Sequence, residues 1–538
     1  MQNWQTKDQL KNLVKELVNV QSMTFSPGEV YMADFLKVKL QNLSYFNENP
    51  EYVRLHGLED GRKLLTAFVK NGDHKDTVIL LSHFDVVHID DYGDLKPFAF
   101  ETDLLTDKIA DLKDLREDVR ADIESGEWLF GRGTMDMKAG IALHFSLLEK
   151  AAAGHFPGNL LMISVPDEEA NSAGMLCGVS VLNELKEEYG IQYKACLNGE
   201  PSFTSHPGDN HHHVYTGSIG KLLAGFLCYG KETHVGEPFA GLSGSLMSSE
   251  VTKVLEWNTD FIDKMDDEIM PPPSNLLQKD LKDHYSVQIP HASVTLFNVM
   301  LMKKPLQQLT DELLSTCVTA AEDLHQFMKN RLKKYEDISG ISVSAPEISV
   351  LTFQQLCDYA IEKYGISEIT RIENEVLAKK LGDERETALH FVNEIAGLCR
   401  NLAPMIVLFY APPFYPAVHS SNSSLVQKTM ASVMERFPTV SGRKVKKKTY
   451  FNGLSDLSYI GFQYSEDDLA SYTGNSPLLE KIYPLPIEAM KKLDVPVLNI
   501  GPFGKDAHQW TERLDLASMT EAKNMAELAV TSILQSKD

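Results

Sequence analysis

His83, Asp136, Glu169, Glu200 and His508 are imidazole and carboxylate donors of the kind that hold divalent metal ions, and each falls at or just after a segment that reads as a buried strand. His83 lies in Ser82-His83-Phe84-Asp85-Val86-Val87, directly behind the apolar run 77–81. In extended chain His83 and Asp85 point to one side, and a ligating histidine commonly donates its second ring N–H to a carboxylate. Alone, His-x-Asp also describes a satisfied polar pair. The segment Gly131-Arg132-Gly133-Thr134-Met135-Asp136-Met137-Lys138-Ala139-Gly140 sets Asp136 on a glycine-permitted turn ahead of a helical pattern. A carboxylate there bridges two cations through its two oxygens, or simply caps the helix. Glu168 and Glu169 follow the run 160–165. Adjacent carboxylates repel and raise each other's pKa, a penalty that nearby dications remove. One glutamate would then ligate while the other takes a proton from activated water. An acidic helix start favoured by the macrodipole is the alternative. Glu200 ends the run 194–198, and His508 follows one at 496–500. One metal site accounts for the placement of all these residues together.

An α/β domain has to assemble those strand ends. The runs 77–81, 160–165 and 194–198 are continuously apolar, as in strands buried on both faces. Helical spacing marks 7–20 (Leu10, Leu13, Val14, Leu17, Val18), 138–152 and about 178–188, and Ser26-Pro27-Gly28-Glu29 opens a helix running to about Leu43. The alternation predicts a largely parallel sheet with ligands beyond the carboxyl ends of its strands. Near Thr216–Gly220 the texture changes. An extended run 221–229, a Gly/Ser-rich turn 236–245, a helix at about 246–264, a strand at about 292–302, a long helix 306–334 and a strand 341–353 read as a smaller α+β domain, its antiparallel sheet carrying helices on one face. The helical segment 354–400 is an extension of that domain or a linker. Parallel-sheet character returns at 404–410, followed by a helix at about 423–436, a strand at 496–500 and a closing helix 518–534. The expected fold is a catalytic domain, 1–215 and 401–538, with a mainly parallel central sheet and helices on both faces, interrupted by the smaller α+β domain, 216–400.

A net charge of -23 argues against a nucleic-acid partner, because phosphate binding needs clustered Lys and Arg. The one basic run, Arg443–Lys448, reads as a solvated strand edge or loop. Cysteines 177, 196, 228, 317, 357 and 399 have no Cys-x-x-Cys spacing and fit a reducing compartment. Met1–Asp8 lacks the order of a signal peptide, and no run approaches the ~20 apolar residues of a membrane span. A cytoplasmic protein without membrane partners is expected. His206 and His211–His213 fall in a Pro/Gly/Asp-rich stretch that reads as a loop near the site mouth.

In order, the segments 82–87, 131–140, 168–169, 200 and 501–508 resemble the metal-site motifs of the co-catalytic zinc metallopeptidase family of aminoacylases, dipeptidases, glutamate carboxypeptidases and desuccinylases. Thr216–Gly220, His234–Gly241 and Asn452–Asp456 resemble its domain-junction, lid and late-loop motifs. Asp90–Gly93 and Ala411–Pro416 are similar to an arginine-utilisation branch. The resemblance implies that His83 and Glu200 hold one metal, Glu169 and His508 the other, and that Asp136 bridges them. It implies that Asp85 orients His83, that Glu168 is general base and then acid, and that His234 stabilises the oxyanion from a lid. Zinc suits these donors, with cobalt or manganese compatible. The implied activity is hydrolysis of an amide bond in a small amino-acid derivative, a dipeptide or N-acyl amino acid, in arginine catabolism, by a homodimer joined through the inserted lid/dimerisation domain. A non-hydrolytic metal-containing binding or regulatory protein is the alternative. It is motivated by the stretch 285–305, where the family's substrate-carboxylate motif is not evident and Lys303 or Lys304 would have to substitute.

Overall fold

The computed structural model describes residues 3–206, 208–282 and 284–537. It divides into two units: residues 1–219, 418–462 and 486–538, and residues 220–417 and 463–485. Among the described residues, no helix is long and apolar enough to cross a membrane.

The first unit is built on a nine-stranded sheet. Its centre is parallel, with Asn159–Val165, Asp76–His83, Gln192–Asn198 and Val497–Asn499 side by side. These are the continuously apolar runs of the sequence. Register makes them a site: His83 pairs with Val165, Leu81 with Asn198, and Asn198 with Asn499. The residues that follow each strand therefore emerge along one edge. Antiparallel strands Val53–Gly57 and Lys63–Val69 extend one flank. On the other lie His211–Tyr215, Arg443–Lys448 and Thr439–Val440. His211–His213 is thus strand rather than loop, with His212 fully buried. The helices begin where capping residues stop the extended chain. Thr6 and Gln9 form a capping box before Lys7–Asn19, and the Ser26 side chain accepts from Glu29 N–H ahead of Pro27–Gln41.

The second unit holds a five-stranded sheet in the order Ser274–Asp280, Ala292–Leu301, Gly220–Tyr229, Met405–Tyr415, Ser349–Thr352. Here the expected boundaries need correction: 401–417 and 463–485 belong to this unit, not to the first. Met405–Tyr415 runs antiparallel to Gly220–Tyr229 and parallel to Ser349–Thr352. It is buried along its whole length because helices cover both faces of this sheet, not one as expected. Ser293 and Tyr410 meet Ser248 and Thr310, from helices Gly244–Leu255 and Leu306–Ser339, at 2.9 and 2.6 Å. Val294, Leu296, Val407 and Phe409 face the other way and pack on Leu356, Val392 and Ile395. Those residues come from the 354–400 segment, which forms the helices Phe353–Tyr364, Ile366–Ala378 and Glu384–Leu398. The segment is structural cover, not a linker. Ile395→Ala is expected to destabilise this unit by about 2–5 kcal/mol through transfer and cavity terms, read by chemical denaturation. An unchanged midpoint would mean that the helical cover is dispensable.

Candidate active site

The ligand-type side chains converge in the first unit. His83 Nε2 lies 3.3 Å from Asp136 Oδ1, 3.5 Å from Glu200 Oε1 and 3.9 Å from Glu168 Oε2. His508 Nε2 lies 3.3 Å from Asp136 Oδ2 and 3.2 Å from Glu169 Oε1. The two oxygens of Asp136 therefore face different histidines. Donor atoms of His83, Asp136 and Glu200 lie within 4.8 Å of one another, as do those of Asp136, Glu169 and His508, and of His83, Glu168 and Glu169.

Local backbone explains the convergence. Gly133 has φ of +79°, a left-handed conformation that favours glycine, so the chain turns sharply before Asp136. The helix Ala139–Ala152 then approaches the Glu200 strand end so closely that a Cβ on Gly140 would stand 2.3 Å from Gly199 O. On the other side Asp85 knits two segments together. Its carboxylate accepts from Glu168 N–H at 3.1 Å, Glu169 N–H at 3.3 Å and Thr24 Oγ1 at 2.9 Å. His83 Nδ1 is nearer the Asp85 backbone carbonyl, at 3.1 Å, than its carboxylate, at 3.5 Å. Both partners leave Nε2 directed at Asp136 and Glu200.

Electrostatics make the cluster a cation trap. Burial pushes the Glu168 carboxyl well above its usual range, and Glu200, Glu169 and Asp456 reinforce the effect against His83. Burial likewise raises Glu200, with Asp136, Glu169 and Asp456 adding to it. Burial alone would depress both histidines, but the carboxylates outweigh it. His83 is held well above its ordinary value by Glu200 and Glu168, and His508 is pushed up to about 11 by Asp136 and Glu169. Asp136, between the two, is held low despite its burial. So many carboxylates around two imidazoles need positive charge, and the oxygen and nitrogen donors fit two divalent ions.

Some contributors were not singled out as site residues in the sequence. Asp456, in the 452–456 segment, is buried beside the cluster, and burial pushes it up to about 8. Arg62 pairs with Asp167 at 2.8 Å and Glu29 at 3.1 Å, placing a buried cation behind the Glu168 turn. Glu512 lies against the Asp136 turn. Asp456 falls in the late-loop motif, which could have pointed to it, whereas Arg62 and Glu512 have no local sequence signature.

His234 is carried by the second unit, where it is exposed and its Nδ1 accepts from Gly236 N–H at 3.1 Å. That bond fixes the tautomer with Nε2–H as donor. Lys304 is committed to Glu312 at 2.7 Å and lies over the Phe261 ring. The backbone N–H groups of Met302, Lys303 and Lys304 all donate to Asp263.

The Bacillus subtilis protein YqjN is 48% identical over 515 residues, covering 95% of this chain and 94% of its own. Protein RocB of the same organism is 31% identical over 519 residues, covering 94% and 91%. A tripeptidase structure from Staphylococcus aureus matches with a TM-score of 0.52 at 12% identity, covering 99% of this chain and 100% of its own. An M20 family metallo-carboxypeptidase from Sulfolobus solfataricus matches with a TM-score of 0.51 at 11% identity, covering 98% and 99%. These likenesses establish a metallopeptidase fold. The sequence pattern defining peptidase family M20/M25/M40 spans residues 79–467, which include His83, Asp136, Glu168, Glu169 and Glu200. The chain belongs to peptidase family M20/M25/M40.

Proposed function

We propose that this metal-dependent hydrolase works with two ions and cleaves the amide bond of a small amino-acid derivative, a dipeptide or N-acyl amino acid. The observation that carries the reading is the split of Asp136, one oxygen toward His83 and the other toward His508, with Asp136 shared between the group of His83 and Glu200 and that of Glu169 and His508. When bound, the ions supply Lewis-acid polarisation of the scissile carbonyl and acidify water. Glu168 supplies the proton chemistry. Burial raises its proton affinity, as suits a group that takes a proton from the attacking water. It then returns that proton to the departing nitrogen as the C–N bond breaks. Asp85 holds His83 and the Glu168–Glu169 turn in one arrangement. His234, with its Nε2–H tautomer, is the proposed oxyanion donor of a lid domain formed by the second unit.

Zinc is the proposed native metal, a homodimer through the second unit the proposed assembly, and the cytoplasm the proposed compartment. The resemblance to the arginine-utilisation branch, together with the 31% identity to RocB, supports a place in amino-acid catabolism, with arginine or a relative as the product. The test is a hydrolysis screen of dipeptides and of N-acyl, N-succinyl and N-carbamoyl amino acids, with zinc, cobalt or manganese supplied. Turnover of at least one class is expected. A metal-loaded protein that hydrolyses none of them would instead be a binding or regulatory protein.

A further inference from the structure

Glu512 stands four positions beyond His508, fully buried, with its carboxylate turned to the Gly131–Asp136 turn. Oε1 accepts from Met135 N–H at 3.3 Å and approaches Asp136 N–H at 3.5 Å. Oε2 accepts from Arg132 Nη1 at 2.9 Å, and the Glu512 backbone carbonyl accepts from Gly131 N–H at 3.1 Å. Arg132, itself buried, is held by Asp91 at 2.8 Å and lies over the Tyr92 ring. The next residue faces the opposite way. Arg513 is fully buried, pairs with Asp122 at 2.7 Å, with Asp118 at 2.8 Å and with Asp506, and lies near the Trp128 and Phe130 rings. Thr511 Oγ1 donates to Asp506 at 2.7 Å. The loop bearing His508 is therefore clamped from two sides. Asp506 and His508 both sit at positive φ, +58° and +62°, a conformation that such a clamp holds in place.

We infer that Glu512 is the positioning residue that fixes the span between the two metal positions. Asp136 would offer one oxygen to each position, and His508 would help to hold the second ion. The two residues arrive on chain segments joined by Glu512 across a separation of 377 residues. Strand pairing of Arg513 with Phe130 already brings the two segments together, and the Glu512 carboxylate carries that link forward to the backbone of Met135 and Asp136 themselves. Glu512 belongs to none of the donor groups and would act through the backbone that carries Asp136.

The inference rests on the two-metal reading, and the experiment separates the two. Purified full-length protein is stripped of metal and titrated with manganese(II), with affinity read by calorimetry and coupling by electron paramagnetic resonance. Wild-type protein is expected to take two ions and to show an exchange-coupled spectrum; absence of coupling there overturns the two-metal reading itself. Glu512→Gln places an amide N–H₂ against a donor on one side or the other, since both Arg132 and the Met135 amide are donors. Glu512→Asp keeps the charge that Arg132 needs but is one methylene too short to span the gap. Both variants are expected to lose the coupled spectrum and to bind the second ion at least tenfold more weakly. If Glu512→Gln fails to fold, the charge-conserving variant decides. A folded variant with wild-type coupling and affinities overturns the inference, even if its Tm is lower, because Glu512 would then serve only the fold.

Discussion

Glu168→Gln is expected to leave a folded protein that takes up metal normally and to lower kcat by about 10²–10⁴-fold, the usual contribution of a positioned general base. Gln keeps the shape of the side chain and its backbone bond to Asp85, which is made by the main-chain N–H. What it loses is the ability to carry a proton from water to the leaving nitrogen. KM should change little, because the substituted group acts on the reacting atoms rather than on the bound amino-acid portion. The same variant makes a second measurement possible. In the metal-free protein the Glu168 carboxyl is raised by burial and by its acidic neighbours. Between its unfolded value near 4.5 and that raised folded value, the folded state binds more protons than the unfolded one, so stability falls as pH rises. Gln removes this cost. Metal-free Glu168→Gln is therefore expected to have a higher Tm than metal-free wild type at pH 8, and a smaller difference at pH 5. A variant that turns over normally would remove Glu168 from the mechanism, whatever its stability.

The proposed ligands that the structure brings together were legible in the sequence as candidates because each is tied to a local feature, a donor at or just after a buried strand. His83 after 77–81 and Glu200 after 194–198 required no knowledge of the partners, since parallel strands in register deliver their ends to one edge. Sheet membership was not legible. Met405–Tyr415 reads as a strand buried on both faces, which is true, but nothing in its residues says which sheet it joins. Burial on both faces points to the larger domain, whereas the helices of 354–400 create a second two-sided sheet that holds it. Of the flank strands, Val53–Gly57 has the mixed exposure of a sheet edge and carries little pattern, whereas Lys63–Val69 is buried from Leu64 to Val69, between Val53–Gly57 and Asn159–Val165. His211–Tyr215 was masked by the Pro, Gly and Asp before it. Glu512 reads as an ordinary acid in a polar loop until the Gly131–Asp136 turn, 377 positions away, is seen against it.

Asp136→Asn is expected to reduce binding to at most one ion per chain and to lower activity by more than about 100-fold, the upper end of losses seen when mere outer-shell partners of a metal are removed. Asp136 sets one carboxylate oxygen 3.3 Å from His83 and the other 3.3 Å from His508. Asparagine offers a single carbonyl oxygen, and its N–H₂ would face one of the two positions as a donor. The change also alters the competition with protons. In the metal-free wild type, His508 is pushed up to about 11, against its burial, by Asp136 and Glu169 together. Below that pH a metal must displace a proton from His508, so wild-type affinity should climb as pH rises from 6.5 to 8.5. In Asp136→Asn one of the two carboxylates is neutral, and the His508 proton is held less tightly. Whatever metal binding remains should then depend less on pH. Calorimetric titration with zinc at both pH values reads stoichiometry and slope together. Two ions bound with wild-type affinity and wild-type pH dependence would show that Asp136 does not bridge them.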